Sequence, residues 1–187
     1  MDHYLDIRVR PDTETTTAHL LNALAGKLHR ALVTLQSEDI GISFPRFRAE
    51  APSLGEVLRV HGSRARLQQL VQLNWLLGVA DHVAVGEVLP VPGQVGHRVV
   101  RRVQAQSNAQ RLRRRYIKRH NCTEEEALER IPDSVEKTLH LPFLALRSQS
   151  TGQPFLLFVE HLAVQDQPVP GVFNAYGLGA SATIPWF

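Results

Sequence analysis

The chain has 187 residues, of which 43% are hydrophobic, and it carries a formal net charge of +3. This is enough apolar material for a core, whereas no apolar run approaches the ~20 residues that span a bilayer and the N-terminus lacks signal-peptide order, so we expect a folded cytoplasmic protein with no membrane partner. The single cysteine, Cys122, excludes an internal disulfide framework, and no Cys/His spacing resembles a zinc site.

The first half of the chain alternates between strand and helix signals. Residues 5–9 alternate apolar and charged side chains, which predicts a half-buried strand. From about Thr16, leucines recur at helical spacing and predict an amphipathic helix, with His29 beside the apolar stripe. Two strands should follow, at 40–44 and 57–61, then a second helix from Ser63 to Leu77 and a final strand at 83–88. This order predicts an α+β fold in which residues 1–94 form a ferredoxin-like domain.

The second half predicts a smaller α/β domain, residues 95–187, that carries a basic helix. After Pro90, Pro92 and Gly93, residues 99–104 indicate an extended segment. Ser107 and Asn108 are good N-cap residues, so a helix should run from about 108 to 120. Thr123 and Glu126 then match a capping box for a short helix that Pro132 ends.

Two β-hairpins are predicted towards the C-terminus. Residues 143–147 and 155–159 are apolar runs that flank the turn signal Ser150-Thr151-Gly152. Residues 173–178 and 183–187 suggest a second hairpin, around Gly177-Leu178-Gly179.

Charge is concentrated in one block. Nine of the 21 Lys and Arg residues lie between Arg98 and Arg119, and no acid occurs between Glu87 and Glu124, whereas the remainder has 12 basic against 18 acidic residues. Such a block indicates an anion-binding face, with nucleic acid as the leading partner. Five cations share one helical face by their spacing: Arg111, Arg114, Arg115, Lys118 and Arg119. The alternatives are a solvated basic face and a site for acidic partners.

Arg102 and Gln104 lie just upstream and point the same way in an extended segment. Arginine and glutamine can read guanine and adenine edges with paired hydrogen bonds. Either residue could equally be an ordinary surface residue of a strand.

Several stretches in order carry a family resemblance. They are DHYLDIRVRPD, GKLHRAL around His29, RVQAQSNAQRLRRR at 102–115, EEEA followed by RIPD, LRSQSTGQPF at 146–155, YGLG at 176–179 and PWF. Together they resemble the hairpin-specific endoribonucleases of type I-F CRISPR systems. The resemblance implies a ferredoxin-like N-terminal half and an arginine-rich helix that enters the major groove of an RNA stem-loop.

The resemblance also implies roles for single residues. Arg102 and Gln104 would read bases near the foot of the stem, and Phe155 would stack beneath the terminal pair. The five helix cations, Arg111 included, would hold phosphates; Lys118 departs from the family pattern, which favours arginine there. His29 and Ser148 would be catalytic, and Tyr176 would orient the histidine.

The implied chemistry needs no metal and no cofactor. A base near the ribose 2′-hydroxyl would start its attack on the adjacent phosphorus, giving a 2′,3′-cyclic phosphate and a 5′-hydroxyl. Histidine suits this role because its unperturbed pKa is about 6.5. Ser148 would hold the 2′-hydroxyl in line, since no G-x-S-x-G pattern surrounds it to make it a nucleophile.

The predicted function is therefore cleavage of CRISPR repeat RNA at the 3′ foot of its stem-loop. The resemblance further implies that the enzyme keeps its product and joins the subunits of a type I-F interference complex. Two alternatives remain: a noncatalytic protein that binds RNA hairpins, and a DNA-binding regulator that uses the basic helix.

Overall fold

The computed structural model describes residues 1–104, 109–133, 139–148 and 150–187. The chain divides into two compact units, residues 1–102 with 141–187, and residues 103–140. The fold combines helices with antiparallel sheets, which confirms the predicted α+β class. The two-domain division at residue 94 stays a prediction. Within the described ranges, no helix is long and apolar enough to cross a membrane.

The first sheet of the larger unit is built from the N-terminal part of the chain. Its elements in chain order are β1 (His3–Val9), α1 (Thr17–Thr34), β2 (Gly41–Ser43), β3 (Val57–Gly62), α2 (Arg64–Gln72), β4 (Val83–Val85) and β5 (Leu89–Pro90). The strand order is β2-β3-β1-β4, with β5 also paired to β1, and every pairing is antiparallel. The longer elements follow the predicted order of strand, helix, strand, strand, helix, strand.

The helices of this unit begin where the sequence predicts. The side chain of Thr16 accepts a hydrogen bond from the backbone N–H of His19 at the start of α1, and Ser63 caps α2 in the same way. The prediction that α2 reaches Leu77 is wrong, because the helix ends at Gln72 and Asn74 then takes a left-handed φ of 48°. The last predicted strand is also shorter and ends at Val85.

The second sheet contains four strands in the order β7-β8-β6-β9. They are β6 (Gly96–Val103), β7 (Phe143–Arg147), β8 (Pro154–His161) and β9 (Thr183–Trp186). The antiparallel pair β7–β8 confirms the first predicted hairpin. The second hairpin is wrong: β9 pairs with β6 instead, and residues 173–178 form a loop with only an isolated bridge from Phe173 to Gly179.

Both sheets contribute to one hydrophobic core, together with the apolar stripe of α1. Leu24 and Leu28 of that helix are buried in the same cluster as Leu144 of β7 and Leu157 of β8. Helix α1 packs against β7 as well as β1. The helix that carries His29 is therefore fixed against an edge strand of the second sheet.

The smaller unit contains the basic helix α3 (Ala109–His120) and the short helix α4 (Glu124–Arg130). The predicted capping box is present, with Thr123 and Glu126 bonded to each other's backbone N–H groups. The guanidinium of Arg113 donates to the Ile131 carbonyl at 2.7 Å and to the Asp133 carboxylate at 2.5 Å. These bonds tie α3 to the chain beyond α4. The predicted N-cap residues Ser107 and Asn108 lie outside the described residues.

Candidate active site

His29 is half-buried on α1, beside the stripe of buried leucines. Its ring lies 4.1 Å from the Tyr176 ring, centroid to centroid, and the two planes differ by 8°, so the rings are stacked. Its Nδ1 lies 2.8 Å from the backbone carbonyl oxygen of Ala175. Because a carbonyl can only accept, Nδ1 carries the hydrogen and donates it. In the neutral ring this leaves Nε2 as the atom that can accept a proton.

The loop that holds His29 in this state is organised by Asn174. The Asn174 side-chain oxygen accepts from the backbone N–H groups of Tyr176, at 2.8 Å, and Leu178, at 3.2 Å. Gly177 has a φ of 72°, and a Cβ there would lie 2.8 Å from Ile42 Cγ2, so the position requires glycine. The loop thus packs against β2, and this packing explains the glycine at position 177.

A groove of about 480 Å³ adjoins His29. Its walls are one face of α1, the end of β7 and the Tyr176 ring, and its lining residues include Asn22, Gly26, Lys27, Arg30 and Arg147. The Asn22 side-chain oxygen accepts a hydrogen bond of 3.0 Å from the Ala145 backbone N–H, which joins the two walls. The groove is therefore a built feature of the larger unit.

Ser148 directly follows Arg147, at the turn between β7 and β8. Its hydroxyl oxygen accepts a hydrogen bond of 3.3 Å from the Thr151 N–H and lies 3.2 Å from the Ser150 hydroxyl. Its backbone closes the turn, with N–H to the Gln153 carbonyl at 2.9 Å and carbonyl to the Gly152 N–H at 2.8 Å. The turn thus fixes the position of the Ser148 hydroxyl, one residue beyond the groove.

Two of the predicted base-contacting residues lie together beside Tyr176. The Phe155 ring on β8 lies 6.4 Å from the Tyr176 ring in an edge-on arrangement, and the Arg102 guanidinium lies 5.8 Å from the centre of the Phe155 ring. Arg102 Nε is buried and has no hydrogen-bond partner among the described residues. Arg102, Phe155, Tyr176 and His29 therefore form one continuous set of contacts.

The remaining predicted residues belong to the smaller unit. Gln104 is exposed, and so are the five cations of α3: Arg111, Arg114, Arg115, Lys118 and Arg119. Leu112, Tyr116 and Ile117 are partly buried on other sides of the helix. The predicted charged face of the helix is thus open to solvent along its length.

The sequence-based predictions did not include Lys27, Arg30 or Arg147, which line the groove with His29. The signal for Arg30 was present, because Gly26 and Arg30 share a helical face with Asn22. Arg147 carried no such signal, since its approach to α1 depends on the docking of β7. Among the described residues, no group of three or more His, Cys, Asp or Glu side chains is arranged to hold a metal ion.

Comparison with known proteins identifies relatives along the whole chain. The sequence model of the family described as CRISPR-associated protein (Cas_Csy4) matches residues 4–187. A protein of Pseudomonas aeruginosa (strain UCBPP-PA14), named CRISPR-associated endonuclease Cas6/Csy4, is 50% identical over 187 residues, which cover 100% of both chains. A protein of the same name from Escherichia coli (strain UTI89 / UPEC) is 47% identical over the same full length. From the family match and these full-length identities, the chain belongs to the Cas_Csy4 family of CRISPR-associated proteins.

Proposed function

We propose that this chain is an endoribonuclease that cleaves CRISPR repeat RNA at the 3′ foot of a stem-loop, without using a metal ion. The observation that carries the proposal is the state of His29. Its Nδ1 is committed to a backbone carbonyl and its ring to Tyr176, so Nε2 is left as a base beside an open groove. The name endonuclease, borne by two full-length relatives, supports the class of activity.

The proposed reaction uses the RNA's own hydroxyl as nucleophile. His29 Nε2 takes the proton of the 2′-hydroxyl, the O2′–P bond forms, and the P–O5′ bond breaks. The departing O5′ takes up one proton from water, and His29 later returns its proton to solvent. The products are a 2′,3′-cyclic phosphate and a 5′-hydroxyl. A positioned general base contributes typically about 10²- to 10⁴-fold to the rate of such a step.

Ser148 is proposed to position the 2′-hydroxyl. Its own hydroxyl is held by the turn that contains Thr151, so it can bind the attacking group in a fixed place. Tyr176 is proposed to orient His29, because the two rings are stacked. The carbonyl that binds the histidine belongs to Ala175, the residue just before Tyr176.

Recognition of the stem-loop is proposed to use both units. The exposed cations of α3 would bind the phosphate backbone. This binding is favoured because it releases the counterions of the phosphates. Arg102 and Gln104 would read base edges at the foot of the stem, and Phe155 would stack on the last pair. Arg102 Nε has no hydrogen-bond partner among the described residues, which supports this role, since an RNA acceptor would satisfy it.

Assembly with the subunits of a type I-F interference complex in the cytoplasm is part of the same proposal. It rests on membership of the Cas_Csy4 family alone.

The test is a gel assay on repeat-derived RNA stem-loops in excess EDTA. The parent protein should cut the RNA, and His29→Ala should cut at least about 100-fold more slowly while it binds the stem-loop nearly as before, because a general base adds little to ground-state affinity. Ser148→Ala should behave similarly. His82→Ala, which alters a histidine of the same unit outside the groove, is the matched control and should cut like the parent.

A stem-loop with a single 2′-deoxy sugar at the cut site should bind and resist cleavage. If it is cut, the nucleophile is water or a side chain and the proposed mechanism fails. RNA that binds tightly but is never cut would support the noncatalytic binder, and a preference for duplex DNA would support the regulator.

A further inference from the structure

The groove beside His29 has an unusual charge composition. Three basic side chains line it, Lys27, Arg30 and Arg147, together with two histidines, His19 and His29. Among the described residues that line it, none is aspartate or glutamate. A concave surface with charges of one sign concentrates counter-ions, so this groove is suited to an anion.

The two guanidinium groups are not engaged by acidic side chains of the described residues. Within the part of the chain that the structure describes, neither Arg30 nor Arg147 has a carboxylate at ion-pair distance, and both side chains are exposed. By contrast, Arg101 pairs with Glu160 at 2.7 Å, and the Lys27 ammonium donates to the Leu77 carbonyl. Arg30 and Arg147 therefore keep their N–H donors available.

Arg30 and the end of β7 approach the same part of the groove, next to Gly26. Gly26 lies on α1 one turn before Arg30, and a Cβ at Gly26 would find its nearest neighbours, Arg30 Nη1 and Leu146 Cδ2, each 4.0 Å away. Arg30 thus reaches over Gly26 on the side that faces β7, and Arg147 follows Leu146 at the end of that strand. The two walls present guanidinium groups to the same space.

We propose that Arg30 and Arg147 bind the phosphate at which the RNA is cut, and hold it beside His29. The inference rests on the proposed function and adds the group that stabilises the reacting phosphate. A phosphodiester carries one negative charge, and the five-coordinate transition state formed by attack of O2′ carries about two. Fixed cations therefore bind the transition state more strongly than the ground state and accelerate the reaction. Both guanidinium groups donate hydrogen bonds to the non-bridging oxygens.

This assignment separates two kinds of arginine by their kinetic effects. The cations of α3 are proposed to contact phosphates whose charge does not change, so their removal should raise the dissociation constant. Removal of Arg30 or Arg147 should instead lower the rate constant for cleavage when all of the RNA is bound.

The first experiment measures single-turnover cleavage at saturating protein. Arg30→Gln and Arg147→Gln should each lower the rate constant by about 10- to 100-fold, the range for loss of a hydrogen bond to a charged group. Their affinity for the 2′-deoxy stem-loop should fall by less than about tenfold. Arg147→Lys should recover part of the lost rate, since it keeps the charge but not the paired donors. Arg64→Gln, an equal charge change at the exposed start of α2, is the control and should match the parent.

The second experiment tests the contact itself with a double-mutant cycle. The 2′-deoxy stem-loop is compared with one that also carries a neutral methylphosphonate at the cut linkage. Arg147→Gln should weaken binding of the charged stem-loop and leave binding of the neutral one unchanged. Equal losses for both would overturn the proposed contact, as would cleavage rates in both glutamine variants equal to that of the parent. A parent that cuts no stem-loop refutes the proposed function and this inference with it, whereas a parent that cuts with unaffected variants refutes this inference alone.

Discussion

Acidification from about pH 7 to about pH 5 should destabilise the folded protein through two buried histidines. His61 on β3 is fully buried, and its Nε2 lies 2.8 Å from the Ser43 hydroxyl. Burial lowers the pKa of His61 from 6.5 to about 3, and the nearby charge of Arg59 adds to the effect. His161 at the end of β8 is stacked on Phe47 with ring centres 3.9 Å apart. Burial, with a smaller contribution from the Arg98 charge, lowers the pKa of His161 to about 3 as well.

The sign and size of this pH effect on the free energy of unfolding follow from proton linkage. In the unfolded chain each of these histidines has a pKa of about 6.5, so between pH 6.5 and 3 the unfolded state binds more protons than the folded state. The stability that depends on these two histidines staying neutral is fully present above pH 6.5 and is lost as the pH falls. At about pH 5 each histidine lowers the free energy of unfolding by roughly 2 kcal/mol, and the two together lower it by about 4 kcal/mol. The result is nearly the same for any folded pKa below about 4.

Two carboxyl groups with lowered pKa values, Asp2 and Asp12, act below this pH window. A hydrogen bond from the His3 side chain lowers the pKa of Asp2 from 3.8. Hydrogen bonds from the backbone N–H groups of Glu14 and Thr15 lower the pKa of Asp12 from the same value. Their contribution to stability is therefore lost only as the pH falls below about 3.8. The loss between about pH 7 and 5 should come from His61 and His161.

Urea unfolding followed by far-ultraviolet circular dichroism at the two pH values measures the effect. His161→Phe should remove about half of the pH dependence, because phenylalanine cannot be protonated. It should also be tolerated at pH 7, since neither ring nitrogen of His161 has a hydrogen-bond partner among the described residues and both atoms are buried. His140→Gln, at an exposed position, is the control and should leave the pH dependence unchanged. If His161→Phe loses as much stability as the parent on acidification, the linkage argument is wrong.

Three further predictions concern RNA and the groove. Replacing Arg114 and Arg115 together with alanine should weaken stem-loop binding and lower the salt slope by about one to two units, and an unchanged slope would move the RNA face elsewhere. Substituting Arg102 or Gln104 should relax preference at one base pair by about 1 to 3 kcal/mol, measured by competition among stem-loops varied at the foot; identical ranking by mutant and parent contradicts the assignment. Gly26→Ala should raise the free energy of unfolding by up to about 1 kcal/mol, because glycine is unfavourable inside a helix and the nearest atoms to the new Cβ are 4.0 Å away. A loss of stability in urea would show that the methyl group does not fit.

Local sequence signals predicted those elements whose stability is mainly local or strongly periodic. The sequence predicts that the basic helix ends at His120, and it does. The predicted end of α2 lies too far along the chain because apolar residues continue past the helix. Trp75 and Leu76 still pack on the core, but from a turn. Periodicity reports which residues are buried, and a buried turn gives the same signal as a buried helix.

The error at residues 173–178 has a similar origin. The apolar pattern there predicts a strand, yet the Asn174 side chain accepts hydrogen bonds from backbone N–H groups that a strand would donate to its neighbour. Asparagine offers the backbone this alternative to pairing in a sheet. The choice between the two depends on what lies beside the loop, here Ile42 of β2, which sequence alone does not reveal.

The contacts of the candidate site were beyond any local signal. The His29 ring meets Tyr176, and its Nδ1 meets a carbonyl 146 residues away in sequence. No spacing rule relates positions so far apart, so the resemblance to a family had to select this histidine among nine. The tautomer of His29 is a property of the three-dimensional contact alone.

The proposed roles are divided between the two compact units, so that RNA preference and catalysis can vary separately. The groups assigned to chemistry, His29, Ser148, Arg30 and Arg147, all belong to the larger unit, whereas the phosphate-binding helix α3 belongs to the smaller one. Raising the protein concentration compensates for weaker binding but not for a slower chemical step. A change of preferred repeat through α3 or Gln104 therefore need not alter the reacting groups, and loss of catalysis need not release the RNA.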